Sequence, residues 1–182
     1  MWFALFSQTG TEIVEVASRL GKWPDYIFTD NKDKNSWHNS LRKHSSVSIV
    51  KHKDMKEEIE RYISVFKGYR GTIPIVTLHG YLRILPEINC EVYNGHPGDI
   101  IKYPELKGKD PQKKALDLKL PSTGTIIHKV TEEVDSGEIV SYNTLKICKD
   151  DTLSSLSNSL RNMSIDLWTV FLEEKIFEKI KR

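Results

Sequence analysis

The sequence predicts an α/β fold: a parallel sheet with an antiparallel addition at its C-terminal edge. Three observations predict it. Short apolar runs alternate with amphipathic helical stretches along the N-terminal half. The most continuously apolar run, Ile73 to Leu78, reads as a buried central strand. Two late runs, Thr125 to Val130 and Ile139 to Leu145, lie close enough in sequence to be antiparallel neighbours.

The first apolar run, residues 2–7, ends at Ser7-Gln8-Thr9-Gly10. Thr11 is placed to cap a helix that carries Ile13, Val14, Ala17 and Leu20 at helical spacing, with Gly21 closing it. Pro24 to Thr29 reads as a second strand and Val47 to Val50 as a third. The polar stretch between them is a loop with one helical turn between Trp37 and Lys43. From Asp54 to Phe66, Met55, Ile59, Tyr62, Ile63 and Phe66 keep to one helical face. Pro74 must lie near the start of its strand, because it cannot donate to a ladder. Cys90 to Asn94 is a short strand followed by a long loop rich in Lys and Pro. The last helix, from about Thr152, offers Leu153, Leu156, Leu160, Ile165, Trp168, Phe171 and Leu172 for packing.

A chain of 182 residues fits one domain, residues 1–182. Apolar residues at 38% and charged residues at 29% argue against global disorder. Lys plus Arg is 27 against 25 for Asp plus Glu, a net charge of +2, so nothing suggests a nucleic-acid polymer as partner. No apolar run approaches the roughly 20 residues of a membrane span, and no cleavable leader is visible, so the expected location is the cytoplasm. Cys90 and Cys148 are too few for a disulfide framework and too far apart for a zinc knuckle. Both read as small buried thiols in apolar runs.

Three segments could carry chemistry. Ser7-Gln8-Thr9-Gly10-Thr11, between strand and helix, is either an anion site at a helix N-terminus or a plain capped turn. Tyr93-Asn94-Gly95-His96-Pro97-Gly98 follows a strand, where open α/β sheets bind ligands. There Asn94 could hold a developing oxyanion and His96 could donate or shuttle a proton, or the segment is simply a turn. Asp135, before Ser136-Gly137, is a hairpin residue unless it meets the other two. His128, alternating within a strand, reads as a packed histidine. The lysines from Lys102 to Lys119 are interrupted by Glu105, Asp110 and Asp117 and read as a solvated loop.

Taken together, Leu78-His79-Gly80-Tyr81-Leu82-Arg83-Ile84-Leu85, Asn94-Gly95-His96-Pro97 with Lys102-Tyr103-Pro104, and Thr123-Gly124-Thr125 running through His128 to Asp135-Ser136-Gly137 resemble the folate-dependent formyltransferase family. In length and layout the chain is similar to the single-domain phosphoribosylglycinamide formyltransferases. The resemblance implies a three-layer fold whose parallel part is Rossmann-like. It implies a catalytic trio of Asn94, His96 and Asp135. It implies that Leu82, Arg83, Ile84 and Leu85, with Thr131, Glu132, Glu133, Val134 and Asp135, form the two loops that hold the pterin of 10-formyltetrahydrofolate, the cosubstrate. Gln8, Thr9, Gly10 and Thr11 would sit where relatives grip an acceptor's phosphate. No metal is implied, and a monomer or homodimer is expected.

The implied activity is transfer of a formyl group to the primary amine of a small, phosphorylated acceptor: glycinamide ribonucleotide, an amino nucleotide or an amino-sugar nucleotide. The alternatives are a formyltetrahydrofolate hydrolase and a catalytically idle folate- or nucleotide-binding module. Three departures mark the acceptor side. Relatives carry Ser-Leu-Leu-Pro after the His-Pro, whereas this chain has Gly98-Asp99-Ile100-Ile101. Their glycine-rich acceptor turn is reduced to Gly10. Arg161 or Asn162 is expected where purine-pathway relatives present an acid from the C-terminal helix.

Overall fold

Trp2-Phe3-Ala4-Leu5-Phe6 forms β1 (Trp2–Phe6), and all five residues are buried because strands flank them and helices cover both faces. The computed structural model describes residues 1–70 and 73–177; the expected domain limits run to Arg182, so residues 71–72 and 178–182 lie outside the described residues. Around β1 stand β2 (Tyr26–Thr29), β3 (Val47–Ile49), β4 (Ile75–Leu78), β5 (Glu91–His96), β6 (Ser122–Lys129) and β7 (Ile139–Lys146). The described sheet runs β3-β2-β1-β4-β5-β6-β7. The first five strands in that order pair parallel; β6 pairs antiparallel with both β5 and β7. Helices are α1 (Thr11–Leu20), α2 (Asn39–Arg42), α3 (Met55–Arg70), α4 (Pro111–Asp117) and α5 (Leu153–Phe177).

Side chains alternate across the sheet, so each strand feeds two cores. Trp2, Ala4 and Phe6 pack with Ile13 and Ala17 of α1 and Trp168 of α5. Phe3, Leu5 and Val76 point the other way, onto Met55, Ile59 and Ile63 of α3. Burying an aliphatic or aromatic side chain of this size is worth about 1.5–3 kcal/mol. These two helical layers therefore hold the sheet from both faces, the three-layer arrangement expected. Among the described residues no helix is long and apolar enough to cross a membrane.

Five local expectations change. The N-cap of α1 is Gly10, in the left-handed region at φ +67, with no side-chain cap; Thr11 is the first helical residue. The positive φ at Gly10 favours glycine, and a Cβ there would also meet the end of the Leu41 side chain of α2. Asn94 to His96 do not follow a strand but end one, because the β6 ladder extends β5 through His96. The Lys102–Lys119 segment is folded, not merely solvated: a short 3-10 turn (Pro104–Leu106) and α4 bury Leu106 and Ala115 against Ile126. Cys148 is exposed beyond β7, while half-buried Cys90 has its thiol pKa pushed up to about 12 by burial. Leu153, at the start of α5, is exposed as well.

Candidate active site

The β5–β6 register places His128 directly opposite Asn94. Asn94 Nδ2 and His128 Nε2 are 3.2 Å apart. Strand alternation puts His96 on the same face as Asn94, two residues on. Between β6 and β7 the chain turns back and inserts Asp135, whose carboxylate reaches both imidazoles: Oδ2 lies 3.2 Å from His96 Nδ1 and Oδ1 lies 3.3 Å from His128 Nε2. His96, His128 and Asp135 are all buried. The three residues expected to form the catalytic trio are thus gathered in one cluster, and His128 is the piece that joins Asn94 to Asp135.

Two backbone features hold this arrangement. Asp135 adopts φ +50, a left-handed conformation that Asp tolerates better than most residues. A Cβ at Gly137 would stand 1.8 Å from the Lys129 carbonyl oxygen, so the loop can close onto β6 only with glycine there. On the opposite sheet face Gly95 lets α5 approach, since a Cβ would lie 2.7 Å from Trp168 Nε1.

The proton positions follow from the partners. The Leu106 carbonyl can only accept, so the 2.9 Å contact from His96 requires hydrogen on its Nε2. The Lys129 carbonyl likewise takes hydrogen from His128 Nδ1 at 2.9 Å. Each ring therefore turns its remaining nitrogen toward Asp135, and that nitrogen donates to the carboxylate when the ring is protonated. Burial pulls the His96 pKa below the ordinary imidazole value, against the opposing pull of the Asp135 charge and the Leu106 carbonyl. Burial also works against charge on Asp135. The His128 hydrogen bond, the His96 charge and the Gly108 N–H, which donates to Oδ2 at 2.9 Å, outweigh it, and the carboxyl lies below its ordinary value.

Leu106 and Gly108 belong to the lysine-rich segment, which thus docks on both His96 and Asp135. Lys107 Nζ donates to Ser136 Oγ at 2.8 Å, and Lys114 Nζ to the Lys107 carbonyl at 2.7 Å. Gly98, in the rebuilt loop after His96-Pro97, lies against the same ring: a Cβ there would approach His96 Nε2 to 2.9 Å.

The two expected pterin loops expose apolar side chains. Leu82, Ile84 and Val134 are 66%, 64% and 51% exposed. Beneath them the first loop is anchored: Tyr81 and Leu85 are buried, Tyr81 Oη meets His52 Nδ1 at 2.9 Å, Leu82 N donates to Ser7 Oγ at 3.1 Å, and Arg83 pairs with Asp30 at 3.5 Å. In the second loop Thr131 Oγ1 donates to the Glu133 carbonyl at 3.1 Å, and Glu132 is exposed. Gln8 and Thr9 are exposed at the end of β1, with Asn31 Nδ2 donating to the Gln8 carbonyl at 2.7 Å and the His38 N–H to that of Thr9 at 2.8 Å. Parallel pairing sets this turn, the Gly80 segment and Asn94 at the C-terminal ends of adjacent strands β1, β4 and β5. A cavity of about 720 Å³ opens at the opposite ends of β4 and β5, beside Lys56, Ile75 and Glu91, and touches none of the trio. Among the described residues no group of three or more His, Cys, Asp or Glu side chains is placed to hold a metal ion.

His128 was the residue that reading the sequence passed over. A lone histidine in a strand signals packing, and only the β5–β6 register reveals what it faces.

The sequence and the fold both have known relatives. Curated relatives include the trifunctional purine biosynthetic protein adenosine-3 of Homo sapiens, 32% identical over 119 residues, covering 62% of this chain and 12% of that one. Phosphoribosylglycinamide formyltransferase of Dictyostelium discoideum is 33% identical over 97 residues, 47% of each chain. The chain thus spans less than half the length of these two relatives. Among solved structures, a phosphoribosylglycinamide formyltransferase from Campylobacter jejuni shares the fold at TM-score 0.77 and 19% identity, covering 95% of both chains. A formyltetrahydrofolate deformylase from Pseudomonas syringae does so at TM-score 0.73 and 18% identity, covering 97% of this chain and 61% of that one. The family model described as formyl transferase matches residues 5–169, from β1 into α5, and the chain belongs to the formyl transferase family.

Proposed function

We propose that this chain, acting as one catalytic unit over residues 1–182 in the cytoplasm, transfers a formyl group from 10-formyltetrahydrofolate to the primary amine of a small acceptor. The observation that carries this reading is the joining of Asn94, His128, Asp135 and His96 at the C-terminal end of β5. The exposed Leu82, Ile84 and Val134 fit a flat, partly apolar pterin.

The donor supplies a formyl carbon bonded to a nitrogen leaving group. When the acceptor amine attacks that carbon, charge grows on the oxygen, and Asn94, the least buried of the trio, donates an amide N–H to it. A donor of this kind is typically worth about 3 kcal/mol of barrier. Asp135 accepts the proton that the attacking nitrogen must lose, directly or through water, and its low pKa keeps it ionised for that task. The proton then returns to the departing nitrogen as the carbon–nitrogen bond to the donor breaks. His128 orients Asn94 and Asp135. His96 can turn Nε2 to the oxyanion once the Leu106 carbonyl releases it.

The test is release of tetrahydrofolate with glycinamide ribonucleotide, amino nucleotides and amino-sugar nucleotides as acceptors. Release that depends on an amine supports transfer. Formate release without any amine assigns a hydrolase. Folate binding without turnover, surviving Asn94→Ala with His96→Ala, assigns an idle binding module.

A further inference from the structure

Glu12 stands one residue past the turn expected to grip an acceptor's phosphate, and both of its carboxylate oxygens are engaged. Oε1 accepts from Ser164 Oγ of α5 at 2.6 Å. Oε2 lies 2.8 Å from Nδ1 of His79, whose ring is fully buried. His79 is itself fixed: Nε2 is 2.9 Å from Thr77 Oγ1, which also accepts the Trp2 indole N–H at 2.7 Å. The carboxylate is thus held by α5 and by the segment that follows β4. A carboxylate has about four acceptor positions, so capacity remains on a side chain that is still 22% exposed.

The N-terminal end of a helix favours an anion, and here α1 carries its own in the first turn. The rest of the turn is uncharged. The Thr11 N–H is turned to Thr9 Oγ1 at 3.3 Å, and the two hydroxyls bond each other at 2.8 Å. Among the described residues no lysine or arginine makes a hydrogen bond or ion pair with residues 8–12. Arg161 and Asn162, expected to mark the acceptor side of α5, are simply exposed; the α5 residue that reaches this turn is Ser164.

We infer that Glu12 is a specificity-determining residue that turns a terminal phosphate away from the α1 turn and selects an acceptor presenting a hydroxyl-bearing, unphosphorylated end there. This rests on the formyl-transfer reading above. A fixed carboxylate accepts hydrogen bonds from sugar hydroxyls and repels a dianionic phosphomonoester at short range. Among the acceptors named above, an amino-sugar nucleotide meets this requirement, since its amine-bearing sugar ends in hydroxyls without a terminal phosphate and its phosphates lie within the linkage.

The test has two arms, both on the full chain. In the first, ribose 5-phosphate is titrated into ¹⁵N-labelled wild type and Glu12→Gln, and the backbone amides of residues 9–13 are followed. Glu12→Gln is expected to bind at least about tenfold more tightly than wild type. Saturable binding by wild type that equals or exceeds the variant's overturns the inference. In the second, kcat/KM is compared for glycinamide riboside and glycinamide ribonucleotide. Wild type is expected to favour the riboside, and Glu12→Gln to shift the ratio toward the ribonucleotide by about tenfold. A wild type that favours the ribonucleotide overturns the inference. So does an unchanged ratio in a folded, less stable variant, which would make Glu12 only a brace between α1 and α5. If neither amine is formylated, the transfer reading loses these acceptors, while the ribose 5-phosphate arm still decides the role of Glu12.

Discussion

Asn94 and His128 are register partners across the β5–β6 ladder, with their side-chain nitrogens 3.2 Å apart. Strand pairing alone therefore aims the amide, because each side chain is set by a backbone that the ladder fixes. Replacing His128 with Leu removes the contact while keeping a residue suited to burial. Turnover is expected to fall about 100-fold while donor affinity changes less than about threefold. Steady-state kinetics beside equilibrium folate binding would show the split; an equal loss in both would mean that His128 only shapes the donor pocket.

Asp135 carries the proton-removal role, and Asn is the apt replacement because it also tolerates φ +50. Asp135→Asn is expected to lower turnover by about 10²–10⁴-fold with little effect on folding. The wild-type carboxyl lies below its ordinary value, so it stays ionised down through mildly acidic pH. Its own titration should therefore leave the rate of the wild type unchanged above about pH 4. A pH–rate profile compared with that of the variant checks this.

The Gly137 position tests how firmly the loop must close. A Cβ 1.8 Å from a backbone carbonyl cannot be absorbed by a side-chain shift. Gly137→Ala should cost about 2 kcal/mol or more of stability. It should also lower turnover, because Asp135 withdraws from both imidazoles. Urea unfolding together with single-turnover rates would reveal both losses; a variant as stable and active as wild type would mean that the loop sits farther from β6.

Stability should fall as the solution is acidified, and the sign follows from linkage. Burial lowers the pKa of His96 in the folded state, so below the ordinary imidazole value the unfolded chain binds the proton more readily. The stabilisation is complete above about pH 6.5 and is lost as pH falls through the folded value. Asp135, also depressed, adds a second loss of the same sign in a more acidic window, below about pH 4. Denaturant unfolding at pH 7.5 and 5.5 should show a smaller drop for His96→Gln than for wild type.

Much of the scaffold was legible because apolar side chains have no alternative to burial. Trp2–Phe6 and Ile75–Leu78 are read from composition alone, and α3 from the spacing of Met55, Ile59 and Ile63. What escaped depended on pairing between distant segments. His96 looked like a turn residue because nothing local announces that β6 will extend its strand. The lysines around Lys107 looked solvated because their charges stay at the surface while Leu106 and Ala115 between them are buried. Nothing local marks Glu12, since its partner Ser164 lies 152 residues away. Asn94, His96 and Asp135 were marked by motif order, whereas the joining of Asn94 to Asp135 through His128 is a property of the folded sheet.

The most direct measurement is the single-turnover rate of formyl transfer from saturating 10-formyltetrahydrofolate in Asn94→Ala, Asp135→Asn and the double variant. Residues acting as one unit give losses that do not multiply. Each single change is expected to slow transfer at least about 100-fold, and the double variant to be no more than about tenfold slower than the worse single. A single variant that binds the donor and transfers within about threefold of wild type would contradict the account.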